Sequence, residues 1–290
     1  RGMNEMHRLK QFLFYIRESP TLGAGFLMVG AVLLFGILGP FFVDTSLAQP
    51  LSSTPRLAPS WDHLFGTDDS GRDLLAVMVV GVPLTLRIGL LAGALGLGLG
   101  TFLGFTSGYI GGRLDGLIRV LVDTLLTVPP LVVLVSIAST IREEISVNIM
   151  ALVVASLAWM WPARVIRSQV LSMRERAYVQ MAKLNGLNTT EIIWKELFPN
   201  LLPYLAANFA NAVNWAILAS IGLEALGLGP QNDPTIGMTI YWAITFSALI
   251  RGMWWWWAIP IIFIALIFIG LLMIAVGLDK LANPKGRKAV

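Results

Sequence analysis

The stretch RVIRSQVLSMRERAYVQMAKLNGLNTTEIIWKELFPNLLP, residues 164–203, interrupts an otherwise apolar second half of the chain. Runs long enough to cross a bilayer flank it on both sides, so it reads as a loop held against one face of a membrane. Its own pattern is helical. Tyr178, Met181, Ala182 and Asn185 recur at i, i+3, i+4 and i+7 on one side of a helix, and Gly186 stands where a left-handed residue ends it. A second short helix is expected next: Asn188 caps it, Glu191 three residues on completes an approximate capping box, and Pro199 and Pro203 close the segment. The expected unit is a helix, a glycine turn and a helix at the membrane surface. Arg164, Arg167, Arg174, Arg176, Lys183 and Lys195 place it on the cytoplasmic side, because cytoplasmic loops carry the excess of positive charge.

The rest of the composition agrees with a membrane setting. Of the 290 residues 56% are hydrophobic and only 13% charged, which describes an all-α integral membrane protein without a large soluble domain. The net charge of +4 does not indicate a nucleic-acid partner, because the basic residues are parcelled between apolar spans instead of forming one stripe. With no cysteine and two isolated histidines, neither a disulfide framework nor a metal cluster is expected. There is no GxxxxGK[ST] phosphate loop and no nucleophile elbow, so chemistry and cofactors on this chain are not expected either.

Taken in order, residues 1–20 carry Arg1, Arg8, Lys10 and Arg17 beside an apolar face, as a basic interfacial helix does, with a frayed tail as the alternative. Residues 21–43 form the first span, too long for a signal-peptide core and without a cleavage site, and so read as retained. Residues 44–81 are acidic and polar and should form an external loop. Val82 to Ser107 is the second span, with Gly96, Gly100, Gly104 and Gly108 every fourth residue behind Gly89 and Gly93. That smooth ridge suits close approach by another helix, and a phosphate-binding reading fails for want of the third glycine of GxGxxG. The third span, about Leu114 to Thr140, places Asp115, Arg119 and Asp123 on one face, either bracing the bundle or lining the inner mouth of a pathway, and Pro129–Pro130 should kink it.

The fourth span, about Ile145 to Ala163, completes an 82–163 block of three spans before the 164–203 loop. The fifth, Tyr204 to Leu228, is studded with Asn208, Asn211, Asn214, Ser220 and Glu224; this stripe either lines a wet path or joins helices by hydrogen bonds. After an outer excursion with apolar character around Ile240 to Ile250, Trp254 to Trp257 anchor a sixth span, so that residues 204–277 hold the last two. Residues 278–290 form a basic tail. The charge distribution gives six transmembrane helices with both termini cytoplasmic, and no internal repeat makes the chain a complete two-halved transporter.

Specific stretches carry a resemblance. Glu175-Arg176-Ala177-Tyr178-Val179-Gln180-Met181-Ala182-Lys183-Leu184-Asn185-Gly186, ending in Leu197-Phe198-Pro199-Asn200, resembles the EAA loop of bacterial ABC importer permeases. Met181 stands where alanine is usual, Glu196 where a basic residue or histidine is common, and Phe198 where leucine is usual. His63-Leu64-Phe65-Gly66-Thr67-Asp68-Asp69-Ser70-Gly71-Arg72-Asp73-Leu74-Leu75 is similar to the outer-loop signature of the C-type permease of dipeptide, oligopeptide and nickel importers. Gly111-Gly112-Arg113-Leu114-Asp115, Asp123 with Pro129–Pro130, and Leu226-Gly227-Leu228-Gly229 resemble the same subfamily. That subfamily has an acidic residue at the place of Ser220, a serine near Glu224 and a tryptophan at Ile236.

The resemblance implies a type I ABC importer permease fold and a subunit that forms half of a translocation path. It implies that Glu175, Ala177, Tyr178, Met181, Ala182, Gly186, Glu191 and Pro199 belong to a coupling loop that docks on an ATPase. The implied partners are a second homologous permease, two cytoplasmic ATPase subunits that hold ATP and Mg, and an extracytoplasmic solute-binding protein. Peptides are the first expected solute, with oligosaccharides next and nickel last; a scaffold that holds an ATPase without transport is the rival of a different class.

Overall fold

The computed structural model describes residues 19–282 of the chain. The basic helix expected over the first residues and most of the basic tail therefore lie outside the described residues. Within them every extended element is a helix, apart from one isolated pairing of Thr67 with Asp73.

Helix α1 covers Pro20–Leu38, with proline in the first turn, where no backbone donor is needed. Helix α2, Leu74–Phe105, continues through a wide π-helical turn, Thr106–Ile110. Then come α3 (Gly112–Thr127), α4 (Pro130–Thr140), α5 (Val147–Ala158), α6 (Met160–Met173) and α7 (Ala177–Leu184). The short α8, Thr189–Glu191, runs through a second π-helical stretch, Ile192–Leu197, into α9, Phe198–Glu224; α10 (Ile236–Thr245) and α11 (Trp254–Ala282) follow. Four helical segments are long and apolar enough to cross a membrane singly: Pro20–Phe41, Leu74–Ile110, Thr189–Glu224 and Trp254–Lys280. The pairs α3–α4 and α5–α6 bend by 88° and 41° at short breaks, and counting each as one broken span gives the expected six.

Several boundaries differ from the sequence reading. The break at Pro129–Pro130 is nearly a right angle rather than a kink. Each proline removes a backbone donor and drives the residue before it to extended geometry, so Val128 (ψ 132°) and Pro129 (ψ 117°) both leave the helix. The second span begins at Leu74 rather than Val82, because the Asp73 carboxylate accepts from Leu75 N at 2.9 Å and Ala76 N at 3.0 Å and starts the helix there. The fourth does not end at Ala163 but runs on to Met173. Pro199 and Pro203 do not close the loop. Pro199 lies in the first turn of α9, and Pro203 sits inside that helix, at the loss of one backbone hydrogen bond.

Helix α2 is the axis of the fold, and the glycine ridge explains how. A β-carbon at Gly93 would stand 2.9 Å from Val213 N on α9; at Gly96, 2.8 Å from Ala158 O; at Gly100, 2.7 Å from Trp159 O; at Gly104, 3.0 Å from Ala163 O. Backbones are thus in contact along α2, with α9 against its first half and α5–α6 against its second, as the packing reading of the ridge requires. At the tryptophan-rich end, Ala48, Leu74, Met78, Met253 and Trp256 form a separate buried cluster that seats the 44–73 loop.

Candidate functional site

Within the 164–203 stretch, residues 177–191 form the expected helix, glycine turn and capped helix start. Gly186 has φ +81°, its N–H bonds Lys183 O at 3.0 Å, and Leu187 N–H bonds Ala182 O at 3.1 Å, which is a complete Schellman end to α7. Asn188 Oδ1 accepts from Glu191 N at 2.9 Å while Glu191 Oε2 accepts from Asn188 N at 3.1 Å, so the capping box is present in both directions. The faces of α7 sort more sharply than the periodicity does. Val179 (0% exposed) and Ala182 (6%) are buried among Ile166, Val170, Ile192 and Leu197, whereas Met181 (58%) and Leu184 (81%) point away, with Tyr178 beside them. Ala182 therefore anchors the unit from within, and it does not share the outward face with Tyr178 and Met181. A helix with one apolar side in a core and a second apolar side uncovered is built to meet something.

Further bonds tie this unit to the spans. Arg174 Nη1 donates to Gly108 O at 3.2 Å and its Nε pairs with Glu175 at 2.9 Å, while Lys183 lies over the Tyr109 ring. Glu191 also pairs with Lys195 at 2.8 Å. Ala177 opens α7 and is exposed, as is Pro199.

On the charged face of α3, Asp115 braces α6. Asp115 accepts from Arg167 Nε at 2.5 Å and Nη2 at 2.7 Å, a two-pronged carboxylate–guanidinium pair, and also from the Ser107 hydroxyl. Asp123 lies 3.8 Å from Arg164 Nε, and Arg119 opens onto the same small cavity. In the sequence Arg164 and Arg167 serve only as markers of sidedness.

The asparagine stripe divides. Asn208 and Asn211 line a cavity of about 350 Å3 with Leu126, Trp161 and Trp215, whereas Asn214 is buried with its Nδ2 3.4 Å from Phe268 O on α11. Each three-residue step turns a side chain about 60° around the helix, so Asn208 and Asn214 point about 120° apart. The stripe is thus split between a cavity wall at Asn208 and Asn211 and an interhelical contact at Asn214. Ser220 donates to Ile217 O at 2.9 Å and is fully buried, away from that cavity.

The 44–73 loop is tightly knit by the signature residues. Thr67 Oγ1 donates to Thr54 O (2.7 Å) and accepts from Leu57 N (2.8 Å), and Asp68 Oδ1 accepts from Ser70 N and Arg72 N, both at 2.8 Å. Burial pushes the Asp68 carboxyl above its ordinary range. Gly66 carries the carbonyl that accepts from Leu74 N, Gly71 (φ +75°) turns the loop where a side chain would strike Ser53 O, and Asp73 reaches His63 Nδ1 at 2.7 Å. Asp69 links Arg56 to Arg251 of the α10–α11 turn.

Comparison with known proteins places these features. Residues 96–288 match the family described as binding-protein-dependent transport system inner membrane component. The chain belongs to this family. Among curated relatives, the dipeptide transport system permease protein DppC of Bacillus subtilis (strain 168) is 30% identical over 273 residues, 94% of this chain and 84% of that protein. The oligopeptide transport system permease protein OppC of the same organism is 28% identical over 292 residues, covering 96% and 90%. A probable D,D-dipeptide transport system permease protein of Escherichia coli (strain K12) is 28% identical over 279 residues, covering 95% and 91%. This transport component is a multi-pass protein of the cell membrane.

In this permease Glu224 is the residue whose place the sequence leaves open, and it lines neither of the cavities that hold Asn208, Asn211 or the arginines. It is fully buried at the end of α9, Oε2 accepting from the Thr235 hydroxyl and Oε1 meeting no partner among the described residues. Thr235 in turn caps α10, accepting from Met238 N at 3.2 Å. Glu224 thus fastens the link between α9 and α10. The sequence reading passes over Thr235, although a threonine one residue before an apolar helical run is a capping signal.

Proposed function

We propose that this permease is one half of the membrane conduit of an ATP-driven importer of di- and oligopeptides. The peptide class rests on the relatives, whose names specify dipeptide and oligopeptide transport. A second, homologous permease completes the path. Two ATPase subunits in the cytoplasm hold ATP and Mg and hydrolyse the nucleotide, while a binding protein delivers the solute at the end that carries the 44–73 loop. In this reading that segment and both termini lie in the cytoplasm, which the basic residues of 164–203 and of the tail support.

One observation carries the reading: the unit around α7 is buried on the Val179–Ala182 side and uncovered on the Tyr178–Met181–Leu184 side. A short helix seated in a groove of the ATPase by its outer side passes displacement to the spans through its inner side. Val179 and Ala182 pack on the 192–197 stretch and share a buried cluster with Ile166 and Val170 of α6 and Leu201 and Leu205 of α9, and Arg174 is bonded to the end of α2. Since the ridge of α2 holds α5–α6 backbone to backbone, those helices follow as one block.

The test is reconstitution with both ATPases, the second permease and the binding protein. Gly186→Pro forces φ near −65° where the turn needs +81°. It should insert and assemble yet lose solute-stimulated ATP hydrolysis. Stimulation at the parental level in the variant would refute the docking role.

A further inference from the structure

The two cavities described above belong to one seam. The larger is walled by Leu126 and Pro130 on one side and by Leu157, Trp161 and Pro162 on the other; the smaller, about 200 Å3, continues both walls with Val122 and Asp123 and with Ala163, Arg164 and Arg167. The chemistry changes along the seam. The first compartment is apolar except for Asn208 and Asn211, and the second holds three guanidinium groups. Arg167 is committed to Asp115 by two hydrogen bonds, and Arg164 meets Asp123 only at 3.8 Å. Arg119 feels the charge of Asp115 but forms no ion pair with any described carboxylate. Three arginines against two aspartates leave one positive charge in excess, on side chains that stand open at the wall. Such groups on membrane helices face water or protein, not lipid. A planar fork without a partner is a receptor for a two-oxygen anion.

We infer that the arginine compartment, through Arg119 with Arg164, receives the carboxylate of the passing peptide, while the asparagine compartment beside it takes the neutral part of the chain. This rests on the transport reading above. It adds that the permease, and not only the binding protein, discriminates for a free C-terminus. Asp123 has a definite part: it holds Arg164 loosely enough to exchange for the incoming carboxylate, so the site empties without a net change in pairing.

The experiment uses the complete complex in vesicles and compares ATP-driven uptake of trialanine with that of trialanine amide. The acid-to-amide ratio is read for wild type and for Arg119→Gln. The same binding protein serves both proteins, so its own preference cancels. The ratio should fall about tenfold, equivalent to ~1.4 kcal/mol, and Arg119→Lys should restore part of it. An unchanged ratio in an assembled Arg119→Gln complex overturns the inference and leaves the transport reading standing. Should that variant fail to assemble, Arg164→Gln reports the same ratio from the opposite wall: a fall supports the inference, and an unchanged ratio overturns it. A lipid phosphate is the other source of such an anion. The assay is therefore run in phosphatidylcholine with and without phosphatidylglycerol, and a fall seen only with the anionic lipid assigns the site to a headgroup and overturns the inference. If wild type moves neither peptide, the transport reading fails, and this inference with it.

Discussion

Two alanine substitutions two residues apart in α2 test how the bundle is held. At Gly100 the new β-carbon would lie 2.6 Å from Pro162 Cβ, 2.7 Å from Trp159 O and 2.9 Å from Ala163 N, whereas at Gly98 nothing lies within 4 Å. Two of the three atoms facing Gly100 are backbone, so no side-chain rotation relieves the clash. Since comfortable contacts begin near 3.5 Å, α2 and α6 must separate by roughly 0.5–1 Å, which forfeits about a quarter to a half of each contact along the seam. Overpacking of this kind costs about 1–3 kcal/mol. Whatever alanine gains over glycine in helix propensity, on the order of 1 kcal/mol, is common to both positions and cancels in their difference. Gly100→Ala should therefore be about 2 kcal/mol less stable than Gly98→Ala, roughly a 30-fold difference in the unfolding equilibrium. Unfolding of the detergent-solubilised protein by added dodecyl sulfate measures it. Equal midpoints for the two variants would refute the backbone-contact account of the ridge.

Other consequences follow from the 44–73 loop. Asp73→Ala removes the acceptor for two N–H groups at the start of α2 and should cost about 2 kcal/mol, whereas Asp73→Asn keeps Oδ1 and should cost under about 1 kcal/mol; the same titration distinguishes them, and equal losses would contradict the capping role. Asp68 has a folded-state pKa raised above 3.8, so the folded state holds its proton more tightly than the unfolded one. Its contribution is favourable below the ordinary value and is lost as pH rises through the raised one. Asp68→Asn keeps the oxygen that accepts from Ser70 and Arg72, so it should remove this pH dependence without loosening the loop. Melting temperatures of both proteins across mildly acidic pH check this, and parallel curves would contradict it.

Features governed by neighbours in sequence are legible without coordinates. Gly186 and the Asn188–Glu191 box act over three to five residues, and the glycine ridge declares itself because nothing else makes a smooth face on a helix. The four long apolar spans and the two bent pairs follow from hydropathy. What needs the folded chain is direction around a helix. Ala182 and Met181 are adjacent and so about 100° apart, and only the presence of Val170, Ile192 and Leu197 on one side decides which is buried. Asn208 and Asn214 diverge for the same reason. The Asp115–Arg167 pair joins residues 52 apart, a distance no periodicity spans. The early start of α2 is in principle readable, since Asp73 before an apolar run is a capping signal, but the acidic tone of the stretch draws it into the loop.

The central claim is that the outer side of α7 rests on an ATPase. Because the chain contains no cysteine, Met181→Cys carries a unique thiol, to which a benzophenone is attached before assembly. Irradiation of the complex should join the permease to an ATPase subunit from this position, and should not do so from Trp61→Cys in the 44–73 loop. Capture of lipid alone from position 181, or of the ATPase from position 61, would contradict the account.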